Sequence, residues 1–239
     1  MKIFMDGASI DDMLHYHNNA LAQGFTTNPT LMRKAGIADY ETFAHKVLSV
    51  IKDVSVSFEV FSDDFKSMEA EARTIASWGN NVYVKIPVSN TKGESSLPLI
   101  RTLLNDGIPV NITALLDPTD ISAVIDATTN FKTPSIVSIF AGRIADTGQD
   151  PLPLMKQSVE RTKEFPHVEI LWASPREVFN IVQAEKIGCD IITCTPALLK
   201  KRPLIGKNLK QFSLETVQMF YDDACAAGYA IKLNEPMTA

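Results

Sequence analysis

Residues 82–88 read VYVKIPV, a run of apolar residues around a single lysine, Lys85. The run is too short for a helix and is rich in β-branched side chains, so it reads as a strand. Alternation along a strand places Lys85 on the opposite face from Val84 and Ile86. Working outward, runs of the same kind recur along the chain. They are KIFMD (Lys2–Asp6), GFTTN (Gly24–Asn28), VSFEV (Val56–Val60) and VYVKI (Val82–Ile86), then PVNIT (Pro109–Thr113), IVSIF (Ile136–Phe140), EILWA (Glu169–Ala173) and DIITC (Asp190–Cys194).

Helical patterns fill the intervals. Ser9, Asp39, Asp63, Asp117 and Asp150 stand where N-caps are wanted, and Ser174-Pro175 reads as a further start. Gly24, Gly79, Gly107 and Gly188 follow four helical stretches, where left-handed C-caps are expected. Strands alternating with helices predict a parallel sheet. Eight such units in 239 residues, with no G-x-G-x-x-G after the first strand, favour an α/β (β/α)8 TIM barrel over an open sheet. Nothing marks a linker or a repeat. Residues 1–239 therefore read as one catalytic barrel domain, with an extra C-terminal helix (Ser213–Tyr229) in an extension from about 211. That helix is a candidate to pack on the barrel or on a neighbouring subunit.

A net charge of -5 argues against broad nucleic-acid or anionic-membrane binding. No apolar run approaches the ~18 residues of a membrane span, and MKIFMDG does not open like a secretory signal. Cys189, Cys194 and Cys225 form no C-x-x-C pair and read as small buried hydrophobes of a reduced, cytoplasmic chain. His15 and His17 lie two apart on a helix and face different ways, so no metal pair is expected.

In such barrels the site lies at the C-terminal strand ends. Those ends carry Asp6, Thr26, Thr27 and Asn28, Glu59, Lys85, Asn111 with Thr113, Ser138, Arg143, Ser174 with Arg176, and Thr193. Convergent polar groups in otherwise apolar strands mark a site, because each is costly to bury unpaired. Lys85 has two readings. Burial disfavours the ammonium and yields the free amine that attacks a carbonyl; alternatively it is a structural ion pair with Glu59 or Asp6, or it snorkels from the strand end. Asp6 and Glu59 can divide proton removal from proton return, or merely cap helices. Asn28 and Asn111 suit vicinal hydroxyls, but in isolation either is more often a turn residue. Arg143 and Arg176, with helix N–H groups after Ser174, suit a phosphate, or are solvated surface groups.

The motifs TTNPT (Thr26–Thr30), VKIPV around Lys85, VNIT (Val110–Thr113), S-x-F-x-G-R (Ser138–Arg143) and ASPR (Ala173–Arg176) together resemble the transaldolases. The short chain looks like the branch of small transaldolases and fructose-6-phosphate aldolases. The resemblance implies a class I mechanism without a cofactor or metal, and a place in carbohydrate metabolism such as the pentose phosphate pathway. Lys85 would form an imine with a sugar phosphate such as fructose 6-phosphate or sedoheptulose 7-phosphate. Asp6 would take the hydroxyl proton as the bond between carbons three and four breaks. Glu59, through a water held with Thr113, would serve imine formation and hydrolysis. Asn28, Asn111 and Ser138 would hold the dihydroxyacetone unit; Arg143, Arg176 and Ser174 would hold the phosphate. Glu59 and Phe140 follow the transaldolase pattern, where the aldolases resemble it with Gln and Tyr. Phe140 has no hydroxyl with which to protonate the retained enamine, so the resemblance implies transfer to an acceptor aldose phosphate. It also implies a homo-oligomer. Departures fall at the pocket mouth: D-G-A-S after strand one, SNTKGESS (89–96) after strand four, and Pro175.

Two other readings stand beside the transferase. One is a fructose-6-phosphate aldolase-like or specialised sugar-biosynthetic enzyme, which would release dihydroxyacetone without an acceptor. The other is a sugar-phosphate-binding barrel that has lost turnover, against which every expected catalytic side chain is present.

Overall fold

Alternation is already visible in β1 (Lys2–Asp6), where Ile3 and Met5 pack outward against helices while Phe4 joins a separate inner cluster. The strands that follow are β2 (Gly24–Thr26), β3 (Ser55–Glu59), β4 (Val82–Pro87), β5 (Val110–Leu115), β6 (Ser135–Ile139), β7 (Val168–Trp172) and β8 (Ile191–Cys194). Each pairs in parallel with the next, and β8 returns to β1 through Lys2 opposite Ile191. This computed structural model, which describes residues 1–232, is thus a closed (β/α)8 barrel.

Helices link the strands: α1 (Ile10–Asn18), α2 (Pro29–Lys34), α3 (Tyr40–Val50), α4 (Phe65–Ser77), α5 (Leu97–Asn105), α6 (Pro118–Thr129), α7 (Ala141–Asp146), α8 (Leu152–Thr162), α9 (Phe179–Lys186) and α10 (Pro196–Leu199). Ser9, Asp39 and Asp117 cap α1, α3 and α6 as expected, each accepting a first-turn N–H. The cap of α4 is Asp64, not Asp63. The Asp63 carboxylate instead takes the N–H and hydroxyl of Thr91 at 2.7 Å each, tying down the loop after β4. Ser174-Pro175 does not start a helix. Ser174 is left-handed at φ +60°, Asn180 Oδ1 accepts the N–H groups of Arg176 and Glu177, and α9 begins only at Phe179. Gly107 and Gly188 adopt the expected left-handed conformation, but Gly24 and Gly79 do not. Gly24 starts β2, where a Cβ would lie 2.4 Å from the Phe4 ring.

The apolar core has two parts. The larger lies between the strands and the helices; the smaller fills the barrel interior with Phe4, Ile136, Leu171, Ala173 and Ile191, flanked by Tyr83 and Phe140. Below this plug, Lys2 and Glu169 pair at 2.7 Å. Above it, two residues further along from Phe4, Tyr83, Ile136 and Ile191, the inward positions become polar as Asp6, Lys85, Ser138 and Thr193. The plug closes the barrel as a pore and leaves a chemical face at one end only.

The chain divides into two units, Met1–Lys200 and a second beginning at Lys201. The second holds a 3-10 turn (Arg202–Leu204) and α11 (Leu209–Ala227). Asn208 caps α11, Gly228 ends it in a left-handed turn, and none of its residues is buried. The helix thus starts a turn earlier than its sequence pattern suggested. Cys189 and Cys194 are buried, as expected, whereas Cys225 in α11 is exposed. Burial pushes the Cys189 thiol up to about 12. No described helix is long and apolar enough to cross a membrane.

Candidate active site

Register brings the central groups together. Glu59 on β3 stands opposite Lys85 on β4, and Lys85 stands opposite Asn111 on β5. Lys85 is only 7% exposed. Its Nζ donates to the backbone oxygen of Thr27 at 3.1 Å and lies 3.1 Å from Glu59 Oε2. That contact is an ion pair without hydrogen-bond geometry. Glu59 Oε2 and Thr113 Oγ1 are both buried with no hydrogen-bond partner among the described residues. Buried polar atoms are rarely left without a hydrogen bond; Glu59 Oε2 has the Lys85 charge beside it, whereas Thr113 Oγ1 has neither.

On the other side of Lys85, Thr26 Oγ1 donates to Asp6 Oδ1 at 2.8 Å and sits 2.6 Å from Thr193 Oγ1. With the Thr26 proton committed to Asp6, Thr193 must be the donor to Thr26. Burial holds the Asp6 carboxyl above its ordinary range, opposed by the Lys85 charge and the Thr26 hydrogen bond. A third chain runs through the barrel: Ser138 donates to Asn111 Oδ1 at 2.6 Å, and Asn111 donates to Ser57 Oγ at 3.0 Å.

A cavity of about 100 Å³ opens at this end. Asp6, Asn28, Lys85, Thr113, Ser138, Phe140, Arg143 and Ser174 line it, joined by Thr26, Ala173 and Thr193. Glu59 and Asn111 stand behind it, touching it through Lys85 and Ser138. Asn28 combines both of its sequence readings, because it lines the cavity and its Oδ1 also caps α2 through the Leu31 N–H at 3.0 Å. Arg143 projects from α7 and lies over the Phe140 ring, 5.1 Å from its centroid. Arg176 is placed differently. Its guanidinium forms a fork with the Asp146 carboxylate, Nε to Oδ1 at 3.1 Å and a second contact through Nη2, and it does not line the cavity. The helix N-terminus expected beside it is absent, since α9 starts later.

Some participants gave no sequence signal of their role. Asp146 holds Arg176 from α7, a helix too short to show periodicity. Gly142 lets α7 approach the turn after β7: a Cβ there would sit 1.6 Å from the Ser174 carbonyl oxygen. The β5–β6 ladder breaks between Ile112 and Leu115, with Ala114 at φ +62°, just where Thr113 turns into the site. A larger groove of about 360 Å³ lies against α3 and α4, lined by Tyr40, Phe61 and Trp78, but it holds none of the convergent polar groups at the strand ends.

Residues 3–234 match the family described as Transaldolase/Fructose-6-phosphate aldolase. A protein of Nitrosopumilus maritimus named "Probable transaldolase" is 36% identical over 217 residues, spanning 89% of this chain and 93% of that one. Another so named, from Mesorhizobium japonicum, is 36% identical over 218 residues, with 89% and 94% covered. Among solved structures, a dihydrodipicolinate synthase from Rhodopseudomonas palustris superposes with a TM-score of 0.57 at 15% identity, covering 93% of this chain and 79% of that one. At that identity the likeness concerns the barrel alone.

Proposed function

The chain belongs to the Transaldolase/Fructose-6-phosphate aldolase family, and on that premise we propose that it transfers a dihydroxyacetone unit between sugar phosphates through an imine on Lys85. The observation that carries this reading is Lys85 Nζ, enclosed at 3.1 Å from a Glu59 oxygen that has an unused lone pair. A strut needs only the ion pair, whereas a site also needs the cavity and the unpaired atoms.

The steps follow from the placement of each group. The Lys85 amine adds to the ketone carbon of the donor, and water leaves to give the iminium ion. Glu59 and Thr113 Oγ1 are placed to hold the water that carries protons in this step and in its reversal, which accounts for their unpaired buried atoms. Asp6 removes the proton from the hydroxyl on carbon four. The bond between carbons three and four then breaks, its electrons pass to the imine nitrogen, and the aldose product departs. The enamine retained on Lys85 adds to an acceptor aldehyde, Asp6 returns the proton, and hydrolysis frees the new ketose. A carboxyl raised by burial is suited to this traffic, because its proton affinity lies nearer that of the working medium. Ser138 and Asn28 are the cavity groups that face the three-carbon unit, with Asn111 fixing Ser138. Arg143 is the cation facing the cavity for the phosphate; Arg176, tied to Asp146, would contribute only if that fork opened.

Transfer is favoured over release because Phe140 lines the cavity where an acid would be needed to quench the enamine. A coupled assay decides this. With fructose 6-phosphate and erythrose 4-phosphate, exchange of the three-carbon unit is expected in the native chain and not in Lys85→Ala. Release of dihydroxyacetone at the same rate without acceptor would favour the aldolase reading instead. We also place the chain in a homo-oligomer, supported by the exposed Leu214, Val217, Phe220 and Tyr221 on α11. Light scattering should return more than one chain mass, and Val217→Glu with Phe220→Glu should reduce it; a native monomer would refute the assignment.

A further inference from the structure

The sheet is incomplete where Glu59 sits. β2 ends at Thr26, and the chain leaves the barrel through Asn28 into α2. Along a strand, successive residues turn their N–H and C=O groups to opposite neighbours. Val60 donates to Lys85 O at 3.1 Å on the β4 side, so Glu59 turns both of its backbone groups toward the β2 side. Ser57, two residues earlier, still reaches the N–H of Thr27 at 3.4 Å. For Glu59 no strand residue remains.

The Tyr40 hydroxyl occupies that gap. It accepts the Glu59 N–H at 2.7 Å and donates to the Glu59 carbonyl at 3.0 Å, so one oxygen serves both orphaned groups. Tyr40 is the first residue of α3, fixed by the Asp39 cap. Its ring is held edge-on by Phe58, Phe61 and Trp78, with centroids 6.0, 4.5 and 5.7 Å away. Burial keeps the phenol well above its ordinary range, so the hydroxyl retains the proton it donates. Just beyond, Glu71 accepts the N–H groups of Phe61 and Ser62 at 2.7 and 2.9 Å, fixing the next turn.

We propose that Tyr40 is a positioning residue for Glu59, its hydroxyl standing in for the missing length of β2 and holding the carboxylate within reach of the Lys85 amine. The proposal rests on the reading of Glu59 as the proton carrier of imine formation and hydrolysis. Tyr40 touches no substrate; its effect passes through the backbone of Glu59, where a shift of about 1 Å is enough to cost on the order of 10²-fold in rate.

Tyr40→Phe keeps the ring and its packing and removes only the hydroxyl. In the full-length protein, kcat and the single-turnover rate of borohydride trapping are expected to fall by about 10- to 100-fold, with KM within about twofold. In a Glu59→Gln background, adding Tyr40→Phe is expected to change kcat by less than about twofold, since both act on one step. A Tyr40→Phe protein that melts at a lower temperature but keeps native kcat would overturn the proposal and leave the hydroxyl a purely structural group. Multiplicative losses in the double variant would also overturn it. A Glu59→Gln protein with native kcat would instead sink the underlying reading of Glu59, and the proposal with it. Should Tyr40→Phe not accumulate folded, fluorotyrosine at position 40 weakens the bond the hydroxyl accepts from the Glu59 N–H and strengthens the one it donates to the Glu59 carbonyl, shifting the Glu59 backbone in an almost unchanged shape. A loss of kcat without loss of melting temperature is expected there, and native kcat would again overturn the proposal.

Discussion

Replacing Gly142 by alanine should damage both stability and phosphate recognition, through one contact. The added Cβ would lie 1.6 Å from Ser174 O and 2.6 Å from Ser174 C, both backbone atoms with no rotamer to escape into. Packed carbon and oxygen atoms sit about 3.5 Å apart, so α7 and the turn after β7 must separate by roughly 2 Å. That separation breaks the hydrogen bond from Gly142 N to Ala173 O, now 3.3 Å. It also carries Arg143 and Ser174 apart at the cavity mouth, where both are lining groups. Overpacking of this kind costs about 1–3 kcal/mol. For a chain of this size that lowers Tm by about 2–12 °C. A displacement beyond 1 Å should cost about 10²-fold in kcat/KM for a phosphorylated donor. Thermal melts and initial rates over a range of fructose 6-phosphate concentrations read both quantities. Gly148→Ala is the control, because Gly148 meets nothing within 4 Å; its positive φ, which Gly142 lacks, should cost about 1 kcal/mol of stability and leave its kinetics unchanged. A Gly142→Ala protein with native Tm and native kcat/KM would refute the close approach of these segments.

Asp6→Asn should lower kcat by about 10²–10⁴-fold, yet it should stabilise the protein at neutral pH. Burial raises Asp6 above the ordinary aspartate value of 3.8, so its contribution to folding is fully present below 3.8 and is lost as pH rises through the folded value. Melts of the two proteins should therefore differ at about pH 8 and converge near pH 4; a variant destabilised at both would contradict the assignment of burial as the dominant cause. Arg143→Ala should cost about 10- to 100-fold in kcat/KM for fructose 6-phosphate, the worth of a charge-assisted hydrogen bond, with little change for fructose. Arg176→Ala should cost less than about fivefold, because its guanidinium is half-exposed and already paired with Asp146. Equal losses in steady-state assays would mean that the Asp146 fork opens when the phosphate binds.

The strands were legible because each is a short apolar run with a polar terminus, and a parallel barrel repeats that signature. The same runs placed Asp6, Lys85, Thr113 and Ser138 at the cavity, since alternation alone decides which residues point inward. Local chemistry misled at Gly24 and Gly79, which are not left-handed caps, and at two helix starts. Ser174-Pro175 has the composition of a helix start, but the close approach of Gly142 and the left-handed Ser174 turn that segment aside. Asp63 has the composition of a cap, but Thr91 in another loop claims its carboxylate. Asp146 and Tyr40 could not be read from the sequence at all. Each acts on a residue that only the fold brings near, Arg176 in one case and the Glu59 backbone in the other, and no spacing along the chain encodes those meetings.

The central claim concerns the amine of Lys85, and borohydride reduction tests it most directly. The native protein is reduced in the presence of fructose 6-phosphate, digested, and its peptides weighed. The account predicts a secondary-amine adduct on the peptide carrying Lys85, absent without substrate, and no adduct anywhere in Lys85→Ala. A native protein that turns over substrate yet shows no adduct at Lys85, or a Lys85→Ala protein that keeps its activity, would contradict it.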